Sequence, residues 1–525
     1  MAPHIPKRII LCCDGTWMDS DDGFQKPTLI PYVPTGTLQF PSNVTRISRA
    51  LSKTSQDGLH QIIYYHSGVG TGSSVIDTIT GGILGTGISE NIREVYSFIT
   101  ANYEPGDEII LIGFSRGAFT ARSVAGMIKD IGLLTREGMD SFYPIFKDQE
   151  NFRNKGYHDI FPTIPFANKP FGPDAAREYK RRLEKVISLH NLTTTTQSDI
   201  LQDGLTRSYD PDGTRIQVQA CAVWDTVGSL GIPELAFLSK LGFPHSTKEY
   251  KFYDTNLSGN IRHAFQALAL DEHRTPFSPA VWERVHMEKT TVDLRQCWFP
   301  GAHSNCGGGY PDQEIANISL AWMMDQLASI GVGFQDGFID HIYAQNAAFY
   351  ENPPHVPTTL SSIFSRRPQK QWAVKPIFDK HKPIRPFGLG EVYNSETSVY
   401  FLAGKTIRTP GLYKRADPDT GMSTGVPMTH TNERIHSCVR IRIELEGLGL
   451  DDIGSYKCPA LLKKGPWVLR QRRIKARDHI PWNATWGPGA PPATTPPDEL
   501  RWRTESTDDV GGKFGTISEE VVANE

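Results

Sequence analysis

Over the first quarter of the chain, short apolar runs alternate with stretches in which apolar residues recur every three or four positions. The run in RIILCCDG (8–15) predicts a buried strand that ends in the turn Asp14-Gly15-Thr16. QIIYYHSGVGTG (61–72) predicts a second strand leading into glycines, and the apolar run at 109–112 a third. Helical spacing lies between and after them. NVTRISRAL (43–51) starts a helix, and SENIREVYSFITANY (89–103) sets Ile92, Val95, Tyr96 and Ile99 on one face. A further helix over 116–130 has Phe119, Val124, Met127 and Ile128 as its apolar positions. Strand-like runs return at IQVQACAVWD (216–225) and LRQCWFPGAH (294–303), whereas LALDEHRTPF (268–277) resembles a helix end. Alternating β and α elements on short connections predict right-handed crossovers, hence an α/β class with a mostly parallel central sheet flanked by helices.

Two stretches break this rhythm. Residues 138–215 are charged and aromatic and end in a helix-like REYKRRLEKVISL, the texture of a cap-like insertion or of an inert surface excursion. Beyond 345, Pro, Arg and Lys become common. Short strand-like pieces (SETSVYFLAG, GLYKRADPDTG, HSCVRIRIEL) predict an accessory region over 346–480, partly β, packed on the 1–345 unit. From 485 to 525 the Pro-rich and acidic composition predicts a disordered tail.

Composition narrows the function classes. In 525 residues, Lys plus Arg number 55 and Asp plus Glu 58, so the net charge is -3 and nucleic acid is not an expected partner. One locally basic run, 463–477, reads as a solvated face or, more sharply, as transient contact with an anionic membrane surface. Seven scattered cysteines with no framework spacing suit reduced thiols. The N-terminus shows no signal-peptide core, and no stretch reaches the ~18 apolar residues of a membrane span. The expectation is a cytoplasmic protein.

The candidate chemistry sits at strand ends. Gly113-Phe114-Ser115-Arg116-Gly117 falls between the third strand and its helix, the context that gives a G-x-S-x-G pentapeptide its meaning. The turn forces Ser115 into strained backbone, while Gly113 and Gly117 remove Cβ atoms that would collide with neighbouring elements. A serine nucleophile needs a base and a third group to orient that base. Asp225 closes 216–225, and His303 closes 294–303 before the turn Ser304-Asn305-Cys306-Gly307-Gly308-Gly309. Ser115, Asp225 and His303 follow the chain order of an α/β-hydrolase triad. Arg116 N–H would hold the oxyanion, with Gly15 or Thr16 from the first-strand turn; Asp14 could instead hold that turn as an Asx residue. Asp271 competes for the acid's role, and His66 is a weaker base candidate. Neither GVGTGS (68–73) nor GGILGTG (81–87) has phosphate-loop spacing. Cys297, His303 and Cys306 fit no zinc pattern, so no metal or cofactor is expected. The apolar stretch 230–243 suits core or pocket wall better than a membrane wedge.

As a set, seven segments resemble the catalytic domain of type VI secretion phospholipase effectors, the first lipase-effector family, with its uncharacterised fungal and bacterial relatives. They are CCDGTW (12–17), YYHSGVGTG (64–72), NIREVYSFI (91–99), GDEIILIGFSRGAFTAR (106–122), VWDTVGSLG (223–231), LALDEHR (268–274) and WFPGAHSNCGGGY (298–310). The resemblance spans about 8–330. It implies an α/β-hydrolase fold, family catalytic residues at Ser115, Asp225 and His303, and release of a fatty acid from a phospholipid. Two departures stand out: the block between Ser115 and Asp225 is long, and Asn305 occupies a position that is commonly acidic in the family. The expected activity is a serine hydrolase of carboxylic esters, with lipid acyl esters foremost. A thioesterase or peptidase with the same triad, or a silent hydrolase fold serving as an interaction module, are the alternatives.

Overall fold

The computed structural model describes residues 4–15, 40–68, 86–185, 204–227, 257–284, 292–351, 373, 388–395, 404–417, 423–462, 469–473 and 518–522. Strand β1 (Lys7–Cys13) pairs in parallel with β2 (His60–His66) on one side and with β3 (Glu108–Phe114) on the other. A small antiparallel pair, β4 (Leu133–Leu134) and β5 (Thr206–Arg207), stands apart from the main sheet. The parallel sheet continues through β6 (Val218–Trp224), β7 (Ile261–Ala269) and β8 (Asp293–Phe299). A second antiparallel pair consists of β9 (Lys414–Ala416) and β10 (Ser423–Pro427). Then β11 (Glu433–Ile435) adds in parallel to β8, and β12 (Leu469–Arg473) and β13 (Ser518–Val522) finish that edge antiparallel. The order is β12-β13-β11-β8-β7-β6-β3-β1-β2, with seven parallel strands in the centre: the α/β sandwich that the alternating pattern predicts.

Both faces of this sheet are covered, which is why its strands read as continuous apolar runs and not as alternating ones. Ile9, Leu11 and Cys13 of β1, with Ile109 and Leu111 of β3, face the helices Thr86–Asn102 and Arg116–Ile131. Ile10, Cys12, Ile110, Ile112 and Phe114 point the other way, toward the helices Asn43–Ala50 and Glu314–Ala328. The period of two is the strand's own geometry dividing one sequence between two cores.

The 138–215 insertion lies on the first of these faces. Its helix Phe142–Asn151 climbs along Thr86–Asn102: Phe142 stacks on Tyr96 at 5.3 Å, Arg93 lies over Tyr143 and Phe146, and Ser89 donates to Glu150 at 2.9 Å. The helix Ala175–Leu183 returns to the far edge, where Lys180 reaches the Lys129 carbonyl. Residues 152–174 pack alongside the helix Phe142–Asn151, where Phe161 meets Tyr143 edge-on at 6.1 Å and Lys169 bonds Asp148 at 2.9 Å. That tip exposes Ile160, Ile164 and Phe171.

Two expectations are corrected, and two further observations concern the chain beyond residue 345. LALDEHRTPF is not a helix end: 261–269 is a central strand, disguised by Arg262, His263, Gln266 and a set of alanines, residues at home in helices. HSCVRIRIEL alternates like a strand, yet Ser437–Glu444 is a helix. There Val439, Ile441 and the fully buried Arg442 all find partners in the surrounding core, so tertiary context overrides the β-branched pattern. Ser518–Val522, in the stretch expected to be disordered, forms a strand because β11 offers an unpaired sheet edge. And the line drawn at 345 is no boundary in the sheet, since β11 continues it. Residues 69–85, 186–203 and 230–243, including most of the glycine segments and all of the apolar stretch singled out above, lie outside the described residues.

Candidate active site

The sheet changes winding direction between β1 and β3, and in open α/β sheets the crevice at such a point is where ligands bind. Ser115 follows β3 directly, with φ 57 and ψ -120, a left-handed conformation that costs a non-glycine residue energy. Packing holds it there. The Ser115 N–H donates to the Trp224 carbonyl at 3.1 Å. A Cβ on Gly117 would fall on the carbonyls of Cys13 and Asp14, and one on Gly113 would meet Gly117 O at 2.5 Å. The elbow can therefore close only because both flanking residues lack side chains.

One residue beyond Trp224 is Asp225, also at positive φ (39) and fully buried. Its Oδ2 accepts from His303 Nδ1 at 2.6 Å, and its Oδ1 accepts from the Ala269 N–H at 3.0 Å. His303 opens the short helix His303–Gly307 after β8. Its ring is sandwiched between Phe114 (4.6 Å between centroids) and Phe277 (5.0 Å, edge-on). His303 Nε2 is buried and bonded to nothing among the described residues, so no Ser115–His303 hydrogen bond is formed in this state. Such bonds are often long in unliganded enzymes. The imidazole is thus oriented through one nitrogen, with the other uncommitted, beside the residue that precedes Ser115.

Electrostatics fit this division of labour. Burial alone would raise the Asp225 carboxyl, but Arg408 and His303 outweigh it and hold the group below the usual carboxylate range. For His303, burial lowers the basicity more than Asp225 restores it, which keeps the ring neutral.

Of the expected oxyanion donors, Arg116 N–H belongs to the first residue of the helix Arg116–Ile131, whose leading amides point out of its N-terminus. Gly15 N–H is engaged instead. It donates to Asp14 Oδ1 at 2.7 Å, and Asp14 also accepts from Ser42, Thr45 and Tyr65, so this carboxylate organises the first-strand turn as the Asx reading foresees. Thr16 lies outside the described residues. Asp271 ends a parallel strand no less than Asp225 does. It is occupied by the Gly301 N–H and the Tyr456 hydroxyl, both at 2.7 Å. His66 pairs with Glu94 at 2.6 Å, and Cys297 and Cys306 belong to the apolar core. All seven cysteines are buried and form no disulfide.

No motif points to Arg408, which is nearly fully buried and grips both oxygens of Asp225. It stands 183 positions away, in a stretch with no motif, and only long-range folding brings it there. Asn305 explains its own departure from an acidic residue: Oδ1 accepts from Ala302 and Tyr393 N–H groups, while Nδ2 donates to the Glu391 carbonyl at 2.8 Å, a bond no carboxylate could make.

Among the described residues no helix is long and apolar enough to cross a membrane. The chain is similar to the uncharacterized protein YEL023C of Saccharomyces cerevisiae, 23% identical over 420 residues that cover 63% of this chain and 58% of the yeast protein. Among solved structures it is similar to the Tle1 effector bound to the VgrG spike of the type 6 secretion system, with 17% identity, 59% of this chain and 52% of that chain covered, and a TM-score of 0.29. An uncharacterized protein from Pseudomonas aeruginosa shows 14% identity, 64% and 47% coverage, and a TM-score of 0.31. The chain thus spans between 47% and 58% of the length of these relatives. A family profile described as the T6SS phospholipase effector Tle1-like catalytic domain matches residues 7–326, more than half of the chain, and the protein accordingly belongs to that family.

Proposed function

We propose that the protein is a serine hydrolase that cleaves carboxylic esters, with lipid acyl esters as its substrate class. Membership of a phospholipase-effector family supports an ester-hydrolysing, lipase-like enzyme. The observation that carries the finer reading is the 2.6 Å bond from His303 Nδ1 to a buried, ionised Asp225, with Nε2 left uncommitted next to the strained Ser115 elbow. In this mechanism Ser115 Oγ attacks the ester carbonyl and passes its proton to His303 Nε2. Asp225 stabilises the imidazolium, and the Arg116 N–H meets the oxyanion. Collapse expels the alcohol with the proton from His303, and water then releases the acid from the acyl-enzyme by the same route. The lipid preference draws support from the insertion tip. It exposes Ile160, Ile164 and Phe171, and bases outnumber acids over 152–185, a combination suited to transient contact with an anionic membrane surface.

The test compares wild type with Ser115→Ala on p-nitrophenyl acyl esters of increasing chain length and on phospholipid vesicles, alongside a fluorophosphonate probe. The expected result is labelling of Ser115 and loss of at least about a thousandfold in kcat in the variant. Equal turnover by both proteins overturns the proposal. Absence of labelling would favour a silent scaffold, the reading to which the unformed Ser115–His303 bond points.

A further inference from the structure

The segment that delivers Arg408 lies beyond residue 326, where the family match ends. It is laid against the loop that follows β7. Thr406 N–H donates to the His273 carbonyl at 2.8 Å, Thr275 N–H donates to the Gly404 carbonyl at 3.2 Å, and the hydroxyls of Thr275 and Thr406 meet at 2.9 Å. From this seam the guanidinium makes four bonds. Nη1 donates to Asp225 Oδ1 at 2.5 Å and to the Ala269 carbonyl at 2.6 Å; Nη2 donates to Asp225 Oδ2 at 2.9 Å and to the Phe277 carbonyl at 2.7 Å. Two consequences follow from that fork. The carboxylate cannot rotate, so Oδ2 stays aimed at His303 Nδ1. Phe277, held through its carbonyl, keeps its ring edge-on against the imidazole. A lysine, a single point donor, could not supply this planar pattern.

We propose that Arg408 is a positioning residue for the Asp225–His303 pair, so that the candidate site is completed by a segment outside the catalytic-domain match. The proposal rests on the hydrolase reading above. Arg408 also shares the negative charge of Asp225. Without it the full charge faces the imidazole, and His303 takes up a proton at higher pH. The other groups facing His303 are Glu272, which accepts its backbone N–H and favours the imidazolium, Arg274, which opposes it, and the buried Cys306 thiol on the same short helix.

The experiment uses the full chain with Arg408→Gln and Arg408→Lys. One readout is proton NMR of the His303 Nδ1 hydrogen, assigned by its loss in His303→Ala and followed against pH. The other is the fluorophosphonate labelling rate per folded molecule. Arg408→Gln should raise the His303 midpoint by about one pH unit or more. It should also slow labelling about ten- to a hundredfold, the range for outer partners of ordered imidazoles. Arg408→Lys should keep the midpoint near wild type yet still slow labelling, because it retains the charge and loses the fork. A wild-type midpoint in Arg408→Gln, or wild-type labelling in Arg408→Lys, overturns the proposal. If thermal melting shows Arg408→Gln unfolded, Arg408→Lys decides alone. The NMR titration reports on the pair whether or not Ser115 reacts, so an unreactive serine sinks the hydrolase reading while Arg408 is still judged.

Discussion

A carboxyl buried as deeply as Asp225 would ordinarily favour its neutral form; here a guanidinium, an imidazole and a backbone N–H keep it ionised. The matching effect on His303 is opposite in sign, since burial lowers its basicity below the ordinary value of ~6.5. In the proposed mechanism His303 must be neutral to accept the Ser115 proton. The acid limb of kcat/KM on a soluble ester is therefore expected below about pH 6.5, with activity flat above it until another group titrates. A limb centred at pH 7 or higher would contradict this assignment. Stability should move in the same direction. Below about pH 6.5 an unfolded chain binds a proton at His303 more readily than the folded one, so the folded state loses stability as pH falls. Ser115, Asp225 and His303 were legible because each ends a recognisable apolar run. Arg408 was not, because its role depends on where residues 404–406 lie in space.

The elbow itself is the element most fully written in sequence. Strand, two glycines and helix are contiguous over 108–131, and the physics that closes the turn is local. Gly117 is its tightest point, facing backbone carbonyls of Cys13 and Asp14 that cannot swing aside as a side chain could. Gly117→Ala should accordingly push the helix away from β1, at a cost of about 1–3 kcal/mol in urea unfolding and with slower probe labelling. Wild-type stability and labelling would mean that the two strand ends are looser than they look. Other elements were hidden for equally physical reasons. The strand 261–269 carries polar residues whose partners come from elsewhere, such as Gln266 donating to the Ala280 carbonyl. The helix 437–444 buries an arginine that donates to the carbonyls of Gly388 and Gly390. Propensity speaks for neither, and only the packing decides.

Across the whole molecule the apolar layer behind Ser115 ignores the end of the family match. Phe114, Trp298, Phe299 and Met323 form one cluster with Leu389, Ile435, Val439, Ile441 and Ala460. Polar ties run the same way, from Ser395 to Glu272, from Tyr456 to Asp271 and from Trp298 to Glu433. A chain ending at residue 345 would expose that apolar face and leave the edge of β8 unpaired. Each large side chain withdrawn from water contributes ~1.5–3 kcal/mol, and a domain's net stability is only ~5–15 kcal/mol. A handful of such losses therefore equals the whole margin. The 1–345 fragment is expected to aggregate or to melt without cooperativity, and to label with fluorophosphonate at a small fraction of the full-length rate. Size-exclusion chromatography, thermal melting by circular dichroism and probe labelling, run side by side, check this. A monomeric fragment with a sharp melt and full labelling would show that residues after 345 decorate the catalytic unit and do not help to build it.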